Sequence, residues 1–251
     1  MLAAALLGCS CAFPLQSAAP HLSRRAALAG AALALPTSAS AVIAERVGVD
    51  GRLILTDASA ATIDVRDAPP AVTSRCYLDL SIGGKSAGRL VVDLFGSVAP
   101  RAAENFRQLC TGEKGFGYAG SSFYTVLSGL TVQAGDIEGH ASIYDDKPFA
   151  HDNYALKHNV AGLVSMVNSG KGGGSGMSDS RFLIQLPEDA GFLDGRYEAF
   201  GRVSEGMELV RRIESLPVKG SKNRPVDPVR IDAAGELQMS NVGEMQTSSV
   251  S

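Results

Sequence analysis

The chain has 251 residues, with 23 Lys and Arg against 26 Asp and Glu, a formal net charge of −3 and no Trp. That balance argues against a nucleic-acid partner, which calls for a basic surface to displace counterions from phosphate. The length allows one ordinary domain with extensions, and no apolar run approaches the ~18–20 residues of a membrane span.

The composition changes along the chain. Residues 1–41 hold no Asp, Glu or Lys, and their only charged side chains are Arg24 and Arg25. They read as a bipartite targeting segment. Residues 2–12 are a short apolar stretch ending at Phe13-Pro14, which resembles the signal-plus-transit start of proteins bound for complex plastids. Ser23-Arg24-Arg25, an apolar run over 26–35 and Ala39-Ser40-Ala41 make a twin-arginine export signal. The expected address is a plastid, and within it the thylakoid lumen. Cleavage after Ala41 would remove two basic residues and no acidic one, so the remainder is more acidic than the whole. Cys76 and Cys110 would remain. They are too few for a disulfide framework; one bridge is open, and two reduced thiols are the simpler expectation.

Residues 42–72 read as a linker or N-terminal extension, with a strand at 53–55 and Pro69-Pro70 near the end. From Cys76 the pattern sharpens into a domain over 73–237. Leu78, Leu80 and Ile82 alternate with polar residues, Gly83-Gly84 makes a turn, and Leu90, Val92 and Leu94 alternate again, which predicts a β-hairpin. Pro100 can start a helix, Ala103, Phe106, Leu109 and Cys110 share one helical face, and Gly112 can stop it. Short strands are expected at 122–127, 131–134, 163–167, 181–186, 199–203 and 229–233, with a second amphipathic helix at 207–216. Many short strands and two helices predict a mainly β fold, a barrel or sandwich with helices at its ends. Residues 238–251 are polar and Ser-rich, and are expected to be a disordered tail.

Several motifs fail. Gly84-Lys85-Ser86 lacks the Gly that a phosphate loop needs five residues earlier, where Asp79 stands, and it lies in a hairpin turn. The Gly-rich run at 170–176 lacks the spacing of an anion cradle and reads as a flexible loop. His140, His151 and His158 show no metal-ligand spacing, and nothing local supports a Ser–His–Asp or Cys–His arrangement. No metal and no cofactor are expected.

One family does fit. Ala103-Glu104-Asn105-Phe106-Arg107 is followed by Thr111-Gly112-Glu113-Lys114-Gly115-Phe116-Gly117-Tyr118 and Gly120-Ser121-Ser122-Phe123. Gln133-Ala134-Gly135-Asp136, Leu156-Lys157-His158, Ser165-Met166-Val167-Asn168, Leu193-Asp194-Gly195 and Phe200-Gly201 follow in order. From about Cys76 to Leu237 the chain resembles a cyclophilin, the peptidyl-prolyl cis–trans isomerase family. The resemblance implies a closed eight-stranded antiparallel β-barrel capped by two α-helices, with a peptide groove on its outer face.

It also implies a chemistry. Rotation about a peptide bond meets a barrier of ~18–20 kcal/mol, and X–Pro exchange takes tens to hundreds of seconds uncatalysed. A groove that holds the twisted bond, with a donor aimed at the prolyl nitrogen, lowers that barrier without nucleophile or metal. In the family an Arg is that donor and follows a His. Here Phe123 matches, but Tyr124 stands at the His position and Thr125 at the Arg position, so no residue matches the catalytic Arg. Leu130, Thr131 and Leu183 replace the Phe, Met and Phe of the proline pocket, Arg181 replaces a Gln, and Tyr197 replaces a second His. Gln133, Asn168 and Leu193 match, and Phe192 stands at the rim Trp position. The peptide-binding candidates are therefore Phe123, Gln133, Asn168, Leu193 and Phe192. Arg181 is a conceivable substitute donor, but solvent exposure or pairing with a carboxylate such as Asp179 is favoured. The expected function is a weak isomerase assisting folding, acting on proline-containing segments of client proteins as a monomer. The alternative is an impaired barrel kept as a peptide-binding or assembly module.

Overall fold

A computed structural model describes residues 62–169 and 176–239. In chain order the elements are β1 (Ser74–Ile82), β2 (Lys85–Leu94), α1 (Pro100–Thr111), β3 (Ser122–Phe123), β4 (Thr125–Leu127), β5 (Thr131–Ala134), β6 (Phe149–Ala150), β7 (Leu163–Asn168), β8 (Met177–Gln185), β9 (Ala199–Glu205), α2 (Met207–Glu214), β10 (Val218–Lys219), β11 (Arg224–Pro225) and β12 (Val229–Leu237), with a 3₁₀ turn at Gly191–Leu193. The strand at 53–55, the loop at 170–175 and the tail from 240 lie outside the described residues. None of the helices described is long and apolar enough to cross a membrane.

The hairpin forms as the alternation requires. Gly83 and Gly84 both take positive φ, 58° and 77°, the tight reversal that matches the twist of paired strands. Cys76, Leu78 and Leu80 on β1 and Leu90, Val92 and Leu94 on β2 then face one core. Helix α1 begins at Pro100 and ends where Gly112, at φ 71°, donates its N–H to the Gln108 carbonyl. Its face of Ala102, Ala103, Phe106, Leu109 and Cys110 is buried. Helix α2 stops two residues before the expected end, yet still buries Leu209, Val210 and Ile213. Cys76 and Cys110 are both free and buried.

Nine antiparallel strands in the order β3-β12-β1-β2-β9-β7-β8-β5-β4 make a nearly closed barrel, with β6 added against β8 and β10–β11 as a separate ribbon. The sequence pattern predicts eight strands. The difference lies at one residue: the run 122–127 is two strands, β3 paired with β12 and β4 paired with β5, with Tyr124 between them. Strand β8 also begins four residues before the expected 181. Its early residues Ser178, Asp179 and Ser180 are buried and polar, which hides a strand from a hydrophobic pattern. They are held by partners: Asn105 Nδ2 donates to the Asp179 carbonyl and the Tyr118 hydroxyl to the Ser180 carbonyl.

The stretch before β1 is part of the fold. Ile63 accepts from Lys157 N–H at 3.1 Å and donates to the Ala155 carbonyl at 2.8 Å. Val65 is fully buried among Phe95, Leu156, Val160, Leu163 and Ala199. Val65→Ala is expected to lower the unfolding free energy by about 1–2 kcal/mol through the lost methyls and the cavity left behind. A urea titration should show a lower midpoint with an unchanged slope; an unchanged midpoint would mean this segment contributes nothing.

Candidate functional site

Antiparallel register places opposed residues on the same face of a sheet. Thr125 lies opposite Gln133, Gln133 opposite Leu183, and Leu183 opposite Ser165. One row of side chains therefore crosses β4, β5, β8 and β7 on the outer face. The neighbouring row, Val126, Val132, Ile184 and Val164, points inward and belongs to the main core. Leu193 and Ala190 pack on Leu183 from outside, with Val167 and Tyr197 at the margin. Leu183, Ala190 and Leu193 are buried, and with Thr125 and Gln133 on the same row as Leu183 they lie where the family resemblance puts the hollow that takes the proline ring.

The expected site residues divide accordingly. Gln133 lies opposite Leu183, and Leu193 packs on Leu183. Asn168 ends β7 and donates through Nδ2 to the Arg196 carbonyl at 2.8 Å, so it ties down the far border. Phe192 sits on the rim with 53% of its surface exposed, and Leu130 is 43% exposed. Phe123 is not on this face. Its ring is buried in the core, edge-on to Phe182 at 6.3 Å, and it supports the sheet from beneath. Thr131 is buried too, on the outer row with Gln185.

Tyr124 occupies the break between β3 and β4. Its N–H donates to the Gln133 carbonyl at 3.0 Å, and its hydroxyl donates to Gln133 Oε1 at 3.3 Å. Burial holds the phenol well above its ordinary range, so it remains a donor at any working pH. A cleft of about 650 Å³ opens beside it, lined by Ser122, Tyr124, Ile137, Arg224, Pro225 and Val226 among others.

Arg181 comes near Tyr124 but is engaged. Its Nε donates to both oxygens of Asp179 at 3.0 and 2.9 Å, and its Nη2 to Oδ2 at 2.6 Å. The Asp179 carboxylate also accepts the Arg181 N–H at 2.9 Å. Hydrogen bonds to Asp179 hold the guanidinium charge still more firmly than usual. This is the expected carboxylate pairing. No group of three or more His, Cys, Asp or Glu able to hold a metal ion occurs among the described residues.

Sequence reasoning missed one constellation. His158 Nδ1 lies 2.8 Å from Asp194 Oδ1, and His158 Nε2 lies 2.8 Å from Ser165 Oγ. This is a Ser–His–Asp order, where none was expected. His158 and Ser165 lie seven residues apart, but Asp194 is 36 residues from His158, so no local motif signals the set. Ser165 and His158 are fully buried, which leaves no room for a substrate at the hydroxyl.

The site thus brings together an apolar cluster, a glutamine and a phenol bonded to it, and its Ser165–His158 pair is sealed from solvent. Residues 77–236 match the family model for cyclophilin type peptidyl-prolyl cis-trans isomerases. That match covers well over half of the chain, and with the nearly closed barrel and its two helices the chain belongs to the cyclophilin family, whose domain binds peptide substrates.

Proposed function

We propose that this chain is a weak peptidyl-prolyl cis–trans isomerase that holds proline-containing segments of client proteins and works as a monomer in a plastid, within the thylakoid lumen. The observation that carries the activity reading is Thr125, at the position where the family resemblance expects a long cationic donor. Its side chain is short and uncharged, opposite Gln133. Removing one transition-state donor costs ~2.7–4 kcal/mol in other enzymes, about 10²–10³ in rate. The compartment reading rests on the acid-free residues 1–41 with their Arg24-Arg25 pair. Expression of the full chain fused to a fluorescent protein in an alga with complex plastids tests it; a secreted or cytosolic signal would refute it.

The second reading, a peptide-binding module without isomerase activity, is favoured by the engaged state of the polar groups around the hollow. Tyr124 is bonded to Gln133, and Arg181 to Asp179. Exchange spectroscopy on an Ala-Pro peptide separates the two. Acceleration well below an intact family member supports the first, binding without acceleration the second, and a full family rate refutes both. Arg181→Gln serves as a further check. Because the guanidinium is committed to Asp179, the exchange rate is expected to change by less than about threefold, far from the loss that follows removal of a transition-state donor. A loss of tenfold or more would make Arg181 the donor.

A further inference from the structure

We infer that His158 is a positioning residue for the apolar hollow, a neutral imidazole that joins the wall carrying Leu193 to the strand beneath Leu183. The inference rests on the peptide-binding reading above, and it deepens it by naming what holds the hollow in shape.

Three elements meet at this one residue. The Asp194 carboxylate oxygen that faces Nδ1 also accepts the His158 backbone N–H at 2.8 Å. The His158 carbonyl accepts the Ala190 N–H at 2.7 Å and Gln185 Nε2 at 3.1 Å. The segment 190–194, which carries Phe192 and Leu193, is thus gripped at both ends by His158. On the opposite side of the ring, Nε2 reaches Ser165 Oγ on β7, and Ser165 lies opposite Leu183. The floor and wall of the hollow are referred to a single ring.

The protonation pattern follows from what each partner can do. A carboxylate only accepts, so Nδ1 carries the proton. Full burial favours the neutral ring, whose Nε2 then accepts from the Ser165 hydroxyl. Every polar atom of the ring is used, in one tautomer and one orientation. The order resembles a nucleophilic triad, but its product is geometry. Asp194 is half exposed at the surface, Ser165 is sealed beneath the hollow, and no reacting atom can approach.

The test uses the full chain and a succinyl-Ala-Ala-Pro-Phe peptide as probe. Asp194→Ala removes the acceptor, while Asp194→Asn keeps an oxygen for both His158 donors. Peptide affinity is expected to fall about tenfold or more in Asp194→Ala and to return to within about threefold in Asp194→Asn. Leu209→Ala, in α2 and away from the hollow, is the control for general destabilisation and should lower the melting temperature with affinity unchanged. Ring ¹⁵N shifts should report the Nδ1–H tautomer near neutral pH, and the Leu193 methyl shifts should move in Asp194→Ala but not in Leu209→Ala. An Nε2–H tautomer, or unmoved Leu193 methyls in Asp194→Ala, would overturn the inference. So would equal loss of affinity in the control. If the unmodified chain fails to bind the peptide, the functional reading falls, while the tautomer and methyl shifts still decide whether His158 positions the hollow.

Discussion

Thr125→Arg is expected to raise the rate of Ala-Pro cis–trans exchange by about tenfold or more. The barrier falls when a donor meets the prolyl nitrogen as amide resonance is lost, and one such donor is worth ~2.7–4 kcal/mol elsewhere. Position 125 is suited to deliver it. It lies on β4 directly opposite Gln133, on the row that leads to Leu183 and the apolar hollow. An arginine there would extend over this face, and Arg181 would repel it little, because Asp179 already balances that charge. The gain should stay below the full 10²–10³, because Leu130 and Thr131 remain where the resemblance places larger pocket residues. Two-dimensional exchange spectra at several peptide concentrations would separate the effect on turnover from that on affinity. An unchanged rate with normal peptide binding would show that the missing donor is not what limits the reaction.

Glu198→Gln is expected to stabilise the folded protein by about 2–3 kcal/mol at pH 8 and to have little effect near pH 4. Glu198 is fully buried next to β9. Its Oε1 accepts the N–H groups of Asp152 and Asn153 at 2.7 and 3.1 Å, while Oε2 has no partner. Burial raises its pKa from 4.5 to about 7 in spite of those two amides and of Arg101 nearby. Between these values the folded protein keeps a proton that the unfolded chain has lost. The stability this group contributes is present in full below about 4.5 and disappears as the pH rises through about 7. His151, one residue before Asp152, has the opposite sign. Burial lowers its pKa from 6.5 to about 4, so its contribution is complete above 6.5 and is lost as the pH falls through about 4. Between about 4.5 and 6.5 the Glu198 and His151 slopes oppose each other, and His158, whose pKa burial also lowers, adds to the rising side, so the unmodified protein should show only a shallow rise there. In Glu198→Gln the histidine slopes are unopposed, so stability should rise more steeply with pH to about 6.5 and then hold. Denaturant midpoints across pH 4–8 would reveal this, and a variant that tracks the unmodified profile would assign the pH response to another group.

The hairpin and α1 were legible because their punctuation is local: Gly83-Gly84 for the turn, Pro100 and Gly112 for the helix ends. The break at Tyr124 was not, since 122–127 reads as one β-forming run and only the change of partner, from β12 to β5, divides it. The start of β8 was hidden because polar residues are buried there against the Asn105 and Tyr118 side chains. Of the site, Gln133, Leu193, Asn168 and Phe192 are named by the family resemblance alone, whereas the favoured pairing of Arg181 with Asp179 forms. Phe123 was assigned to the groove although its ring faces the core, because a motif match carries no side-chain direction. The Asp194–His158 contact and the buried Glu198 depend on segments far apart in sequence, and periodicity registers neither these nor the direction in which His158 and Ser165 face each other.

The pairing of β1 with β12 carries a kinetic consequence. Arg75 lies opposite Leu237 and Ile82 opposite Val229, so the first strand of the barrel finds one of its two partners only in the last. A chain emerging from a ribosome can form the β1–β2 hairpin early but leaves the other edge of β1 unpaired until residue 237 is free. Such non-local pairing slows folding and leaves an exposed strand edge in the meantime. A nascent chain stalled before Val229 should therefore remain open to proteases and holding chaperones, and commitment to the native barrel should come as a single late step.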